Sequence, residues 1–233
     1  PIEPGAYKQT ITYNNGKNIS LVTAVGPANQ NTAAYHAQTY LRENKRFIQK
    51  AVIDYVDDTF PTHAYDATAA AIKLVGAIPI LTECKNDSMM DENDIKHRIT
   101  KKTKAIMPVQ LNGRCCNMDK ILQLAKRYKL QVFEDSAQGF GSKYKNKFAG
   151  TFGLFGTVSF YPAKLLGCFG DGGAIITNNK SFAKKILLLR DHGRNEAGKV
   201  IEWGYNSRLD NLQAAILNHK LSSYKKDISK RRK

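Results

Sequence analysis

Residues 131–179 read QVFEDSAQGFGSKYKNKFAGTFGLFGTVSFYPAKLLGCFGDGGAIITNN. Three short runs rich in apolar residues stand out, at 130–133, 157–161 and 174–177. Each is strand-length and bounded by glycine, proline, asparagine or acidic residues, the pattern of buried strands. The first run ends on Glu134-Asp135. The second and third enclose Lys164 and a glycine-rich turn, Gly170 to Gly173. In an α/β sheet the ligand crevice lies beyond the carboxyl ends of the strands. Glu134 and Asp135 are therefore both expected to face a ligand, and Lys164 follows a strand end in the same way.

Working outward, strands and helices alternate. An Ala/Leu-faced helix is expected over 66–76, closed by Gly76, followed by a buried strand, Ile78–Thr82. Asp91 is placed to cap a helix running to about Ile99, and Asn117 one running to Tyr128, since a side-chain oxygen there satisfies an orphan N–H of the first turn. KAIMPV, residues 104–109, reads as a strand; 181–190 and 210–220 read as helices, the latter running on into the basic tail. The alternation predicts the α/β class, a three-layer α/β/α domain around a mainly parallel sheet. Residues 1–60 keep no clean period; 32–55 are read as helical. The resulting division is a poorly patterned segment 1–60, a core 61–220 and a basic tail 221–233.

Composition sets bounds rather than a function. The 233 residues suffice for one large domain, and 42% hydrophobic with 24% charged content is that of a globular protein. No apolar run approaches the roughly 20 residues of a membrane span, and the first residues lack the basic start and apolar core of a targeting segment. Thirty-six Lys and Arg against 20 Asp and Glu give +16, which favours anionic partners such as phosphorylated small molecules. The tail 225–233, KKDISKRRK, holds six basic residues and one acidic, and reads first as a solvated helix face. Helix-turn-helix, zinc-finger and RNA-binding aromatic signatures are absent, so charge alone does not indicate nucleic acid. Cys84, Cys115, Cys116 and Cys168 form no CxxC pair and have no histidine at zinc-ligand spacing, so they read as reduced thiols of a cytosolic protein, with no metal site.

A strand-end carboxylate, a loop lysine, a hydroxyl and an aromatic ring are what pyridoxal 5'-phosphate (PLP) requires. Its aldehyde takes an amine, its ring nitrogen an acid, its phosphate hydroxyls and N–H groups, and its ring face an apolar partner. Lys164, Asp135, Ser159 and Tyr65 offer these. Each also has an ordinary reading, as a surface charge, a turn cap, a strand residue or a core ring, and Gly172-Gly173 as a simple turn. The residues alone leave this cofactor one option among several.

The segment 134–179, with WGYNSRLDNLQAAIL (203–217), KAIMPVQLNG (104–113) and PTHAYDATAAAIKLVGAIPI (61–80), resembles the DegT/DnrJ/StrS family of nucleotide-sugar aminotransferases. The likeness covers about 61–233 and implies the PLP-binding large domain of a fold-type I aminotransferase. By it, Lys164 is the imine-forming and proton-transferring lysine. Asp135 pairs with the ring nitrogen, Gln138 approaches the phenolic oxygen, Ser159 holds the phosphate and Tyr65 stacks on the ring. Asn206 would reach the cofactor phosphate of a partner subunit, which implies a homodimer. The implied reaction moves an amino group from glutamate to a keto nucleotide-sugar, in amino-sugar or surface-polysaccharide biosynthesis.

Two departures accompany the likeness. The family's phosphate-binding Gly-Thr-Ala turn has its nearest counterpart at Gln30-Asn31-Thr32-Ala33-Ala34, where Asn31 replaces the glycine and Thr32 supplies the hydroxyl. The family's small C-terminal domain is expected to be absent from this chain. The alternatives are a truncated relative that binds PLP without turnover, or another PLP-dependent reaction on a nucleotide-sugar. Relatives that dehydrate sugars carry histidine at the lysine position, which Lys164 argues against.

Overall fold

The computed structural model describes residues 50–54, 63–74 and 76–232, with side chains from Ala67 to Lys73 and from Gly76 onward. Strands β1 (Lys50–Asp54), β2 (Ile78–Thr82), β3 (Ala105–Met107), β4 (Gln131–Asp135), β7 (Phe155–Ser159) and β8 (Gly173–Ile176) form one sheet in the order β2-β1-β3-β4-β7-β8. The pairings are parallel except the last, where β7 and β8 run antiparallel with Ser159 opposite Gly173. β5 (Lys143–Tyr144) and β6 (Lys147–Phe148) make a separate hairpin. Its two-residue loop, Lys145-Asn146, has φ of 45° and 65°, the backbone that suits the right-handed twist of paired strands.

Helices cover both faces. α1 (His63–Leu74) and α4 (Lys180–Leu189) cover one: Ala71, Ile72, Phe182 and Ile186 pack on Met107, Phe133 and Phe155. α2 (Glu92–Arg98) and α3 (Met118–Tyr128) cover the other, where Ile95, Met118 and Ile121 meet Ile106 and Val132. Strand alternation sends Ile106 and Val132 one way and Met107 and Phe133 the other, and burial on both faces explains why these strands read as continuous apolar runs. The Phe133 and Phe155 rings stack at 4.7 Å, and Phe155 and Phe182 at 5.4 Å. The three-layer α/β/α arrangement expected from the sequence is thus present.

Local signals held at the helix ends. Asp91 accepts from Asn93 N and Asn117 from Lys120 N. Gly76, at φ 72°, closes α1: its N–H donates to Lys73 O, and that of Ala77 to Ile72 O, a Schellman turn that glycine adopts without Cβ strain. α5 (Asn211–Arg231) runs through the basic tail as one helix. One expectation is corrected. Within the segment read as helical, residues 50–54 form β1, paired on one side with β2 and on the other with β3. A central parallel strand has no alternation to announce it, and KAVID is too short for either period to decide.

Candidate active site

The neighbouring carboxylates Glu134 and Asp135 lie on opposite faces of β4, so the expectation that both face a ligand is corrected. Glu134 is wholly buried. Its Oε1 accepts the N–H groups of Phe152 and Gly153, and its Oε2 those of Gly150 and the Gln110 side chain. Gln110 in turn accepts the Cys116 N–H. Glu134 thus fastens the loop before β7 to the loop after β3, and its acceptor sites are used by protein donors.

Asp135 turns the other way, towards α1. Thr68 donates its hydroxyl to Oδ2 at 2.6 Å, and the Ala137 N–H donates to Oδ1 at 3.0 Å. The group is 7% exposed and both oxygens are oriented. Thr68 was missed in the sequence; its one signal is a hydroxyl set among the alanines of an otherwise apolar helix face.

After β4 the chain turns through residues 137–141 into one wall of a cavity of about 500 Å³. Gln138, Ser159 and Lys164 all line it. Gln138 is held by the Asn112-Gly113 turn: its side-chain oxygen accepts from Asn112 N, and its carbonyl from Gly113 N. Ser159 ends β7, and its hydroxyl oxygen accepts from Tyr161 N at 3.3 Å. Lys164 sits in the loop joining β7 to β8. Lys164 N donates to Tyr161 O, Cys168 N to Phe160 O, and Phe160 N to Gly172 O. The backbone around the lysine is therefore tied at several points.

α5 supplies the remaining support, which the sequence did not reveal. The Lys220 ammonium donates to Gly167 O at 2.6 Å, and the Gln213 side chain accepts from Phe169 N. Leu217 and Tyr224 pack against Leu166 and Cys168. The Tyr224 hydroxyl donates to Phe140 O at 2.7 Å, with burial pushing its pKa up. The end of α5 brings Ile228, Arg231 and Arg232 to the cavity. These contacts reach back 53 and 84 residues in sequence, beyond any local pattern.

The other named residues fall elsewhere. Thr32 lies outside the described residues; of Tyr65 only its backbone place in the first turn of α1 is described. Asn206 is exposed, away from this cavity, pairs in a bridge with Asp191 and accepts from Arg208 Nε. Cys84, Cys115, Cys116 and Cys168 are free thiols. Among the described residues no His, Cys, Asp and Glu cluster could hold a metal, and no helix is long and apolar enough to cross a membrane.

A mainly parallel sheet with a lysine loop and a buried, oriented aspartate at its carboxyl edge has the architecture of the large domain of fold-type I aminotransferases. The chain belongs to the DegT/DnrJ/EryC1/StrS aminotransferase family, whose sequence pattern is matched by residues 57–233. It is 41% identical over 174 residues to UDP-2-acetamido-2-deoxy-3-oxo-D-glucuronate aminotransferase of Pseudomonas aeruginosa, covering 74% of this chain and 48% of that protein. Among solved structures it resembles S. venezuelae DesV in complex with a ketimine intermediate, at a TM-score of 0.70 and 30% identity, over 97% of this chain and 54% of that one. It also resembles NtdA of Bacillus subtilis with bound cofactor PMP, at a TM-score of 0.65 and 30% identity, over 94% and 44% of the two chains. The chain spans about half the length of the curated relatives it matches.

Proposed function

We propose that this chain is the cofactor-binding part of a PLP-dependent aminotransferase that moves an amino group from glutamate to a keto nucleotide-sugar. The observation that carries the reading is a cavity that Lys164, Gln138 and Ser159 line together, within the segment matched by the family.

The residues present fit PLP. Asp135 lies outside that cavity's lining and faces α1, a buried carboxylate with both oxygens oriented, suited to hold a protonated ring nitrogen. Lys164 supplies the amine, Ser159 a hydroxyl for the phosphate, and Gln138 an amide for the phenolic oxygen. Thr32 would add a second phosphate hydroxyl and Tyr65 a ring. Bound PLP supplies an electron sink for the pair left when the amino donor loses its Cα proton. Lys164 Nζ would take that proton as general base and give one back as general acid on the far side of the imine nitrogen. Thr68 and Ala137 keep Asp135 aimed, and the buried Glu134 fixes the strand end from the opposite face.

A homodimer with shared sites belongs to the same reading, Asn206 of one copy serving the cofactor phosphate of the other. In its support, Asn206 is exposed, and near it in sequence stand exposed apolar side chains: Trp203 at 90%, Leu212 at 70% and Ile201 at 57%. Large exposed apolar patches mark interaction surfaces.

The test is borohydride trapping. Purified protein is mixed with PLP, reduced, digested and mapped by mass spectrometry. A pyridoxyl group on Lys164, lost in Lys164→Ala with the fold retained, is the expected result. A label on another lysine, or none, overturns the assignment.

A further inference from the structure

The basic tail, which reads in sequence as a solvated helix face, delivers two of its arginines to the cavity. Arg231 closes the last turn of α5 and Arg232 caps it, and both line the cavity together with Lys164. The lining therefore carries three cationic side chains and no aspartate or glutamate. Among the described residues, neither guanidinium has an ion-pair or side-chain hydrogen-bond partner. The helix is fixed behind them. Tyr224 donates to Phe140 O, and at Gly141, φ 83°, an added Cβ would stand 3.0 Å from Ile228 Cδ1 and 3.1 Å from Tyr224 Cε1. The end of α5 is thus set close against the loop that carries Gln138.

We propose that Arg231 and Arg232 form the subsite for the diphosphate of a nucleotide-sugar, at the mouth of the cavity that Lys164 occupies. The assignment of substrate class rests on the aminotransferase reading above. Two guanidiniums lining one cavity offer two forks of N–H donors, one for each of two linked phosphates. Glutamate also carries two carboxylates, so the two ligands are separated by titrating each in turn. Arginines at a helix C-terminus also complement its dipole, a role that would register as stability and not as ligand affinity.

The experiment is calorimetric titration of the purified protein with inorganic pyrophosphate and, separately, with glutamate. It compares the wild type with R231Q/R232Q. It is run on untreated protein and on protein already reduced with PLP, in which the cofactor's own phosphate subsite is filled. The expected result is pyrophosphate binding weakened at least about tenfold by the double substitution, glutamate binding unchanged, and thermal unfolding shifted by only a few degrees. Equal pyrophosphate affinity in the two proteins overturns the proposal, as does a loss confined to glutamate or to thermal stability. Labelling of Lys164 is scored on both proteins independently. Its absence counts against the aminotransferase reading, while the titration of untreated protein still decides whether the arginines bind diphosphate.

Discussion

Thr68 donates its hydroxyl to Asp135 Oδ2 at 2.6 Å, joining the helix that follows β1 to the carboxyl end of β4. The bond lies within the protein interior, Thr68 being 1% exposed and Asp135 7%. A hydrogen bond to a charged group is worth about 1.5–3 kcal/mol. Thr68→Val keeps the shape and removes the donor. It should weaken PLP about tenfold or more in a visible-absorption titration, with labelling of Lys164 retained at saturating PLP. Unchanged affinity would show that Asp135 is aimed by Ala137 alone.

Glu134 leads to a prediction of the opposite kind. Its carboxylate accepts three backbone N–H groups and the Gln110 amide from a wholly buried position. Glu134→Gln places an amide donor among these donors, and each buried donor left without a partner costs about 1–3 kcal/mol. Denaturant unfolding should show a loss of about 2–4 kcal/mol on that basis. A loss below about 0.5 kcal/mol, the ordinary scatter of surface substitutions, would mean the loop 150–153 is held by other means.

What could be read ahead of the structure was local. Asp91 and Asn117 mark their helices because capping is a chemistry of three or four residues, and Gly76 marks a helix end because glycine adopts the positive φ of the closing turn without Cβ strain. Asp135 drew notice because it ends an apolar run and Lys164 because it follows one, while the roles expected of them came from the family resemblance. The partners of these groups were not. Thr68 lies 67 residues from Asp135, and Lys220 lies 53 from Gly167. Glu134 and Asp135 look alike as text, yet the period of two in β4 sends one to a loop and the other to α1. β1 was misread because a central parallel strand shows no amphipathic stripe, and its neighbours β2 and β3 lie far along the chain.

The setting of α5 against residues 137–141 depends on Gly141. At φ 83°, with Ile228 and Tyr224 atoms 3.0–3.1 Å from where a Cβ would stand, alanine is strained in backbone and in space. Gly141→Ala should destabilise the protein by about 1–3 kcal/mol. Because α5 also holds Gly167 and Phe169, the rate of PLP attachment at Lys164 should fall with it. Tyr224→Phe, which loses only the bond to Phe140 O, should cost about 0.5–1.5 kcal/mol. Equal stability of Gly141→Ala and wild type in thermal unfolding would show that the helix end can shift freely.

Cys115 and Cys168 make a prediction in pH. Burial is the largest influence on both thiols and pushes them up, and the Cys168 thiol also donates to Phe160 O and Gly170 O. The folded protein therefore holds these protons more tightly than the unfolded chain, whose thiols titrate near about 8.5. Where the native state binds more protons, stability falls as pH rises. The contribution of these thiols is complete below the unfolded value and is lost as pH climbs through the raised folded values. Two measurements follow. Unfolding free energy should decline as pH rises above about 8.5, and the part due to these thiols should vanish in Cys115→Ala/Cys168→Ala. Iodoacetamide at pH 8 should label Cys115 and Cys168 more slowly than the same residues in denaturant, since the thiolate is the reacting form. Equal labelling rates in the folded and unfolded protein would place both thiols in contact with water and remove burial as the cause.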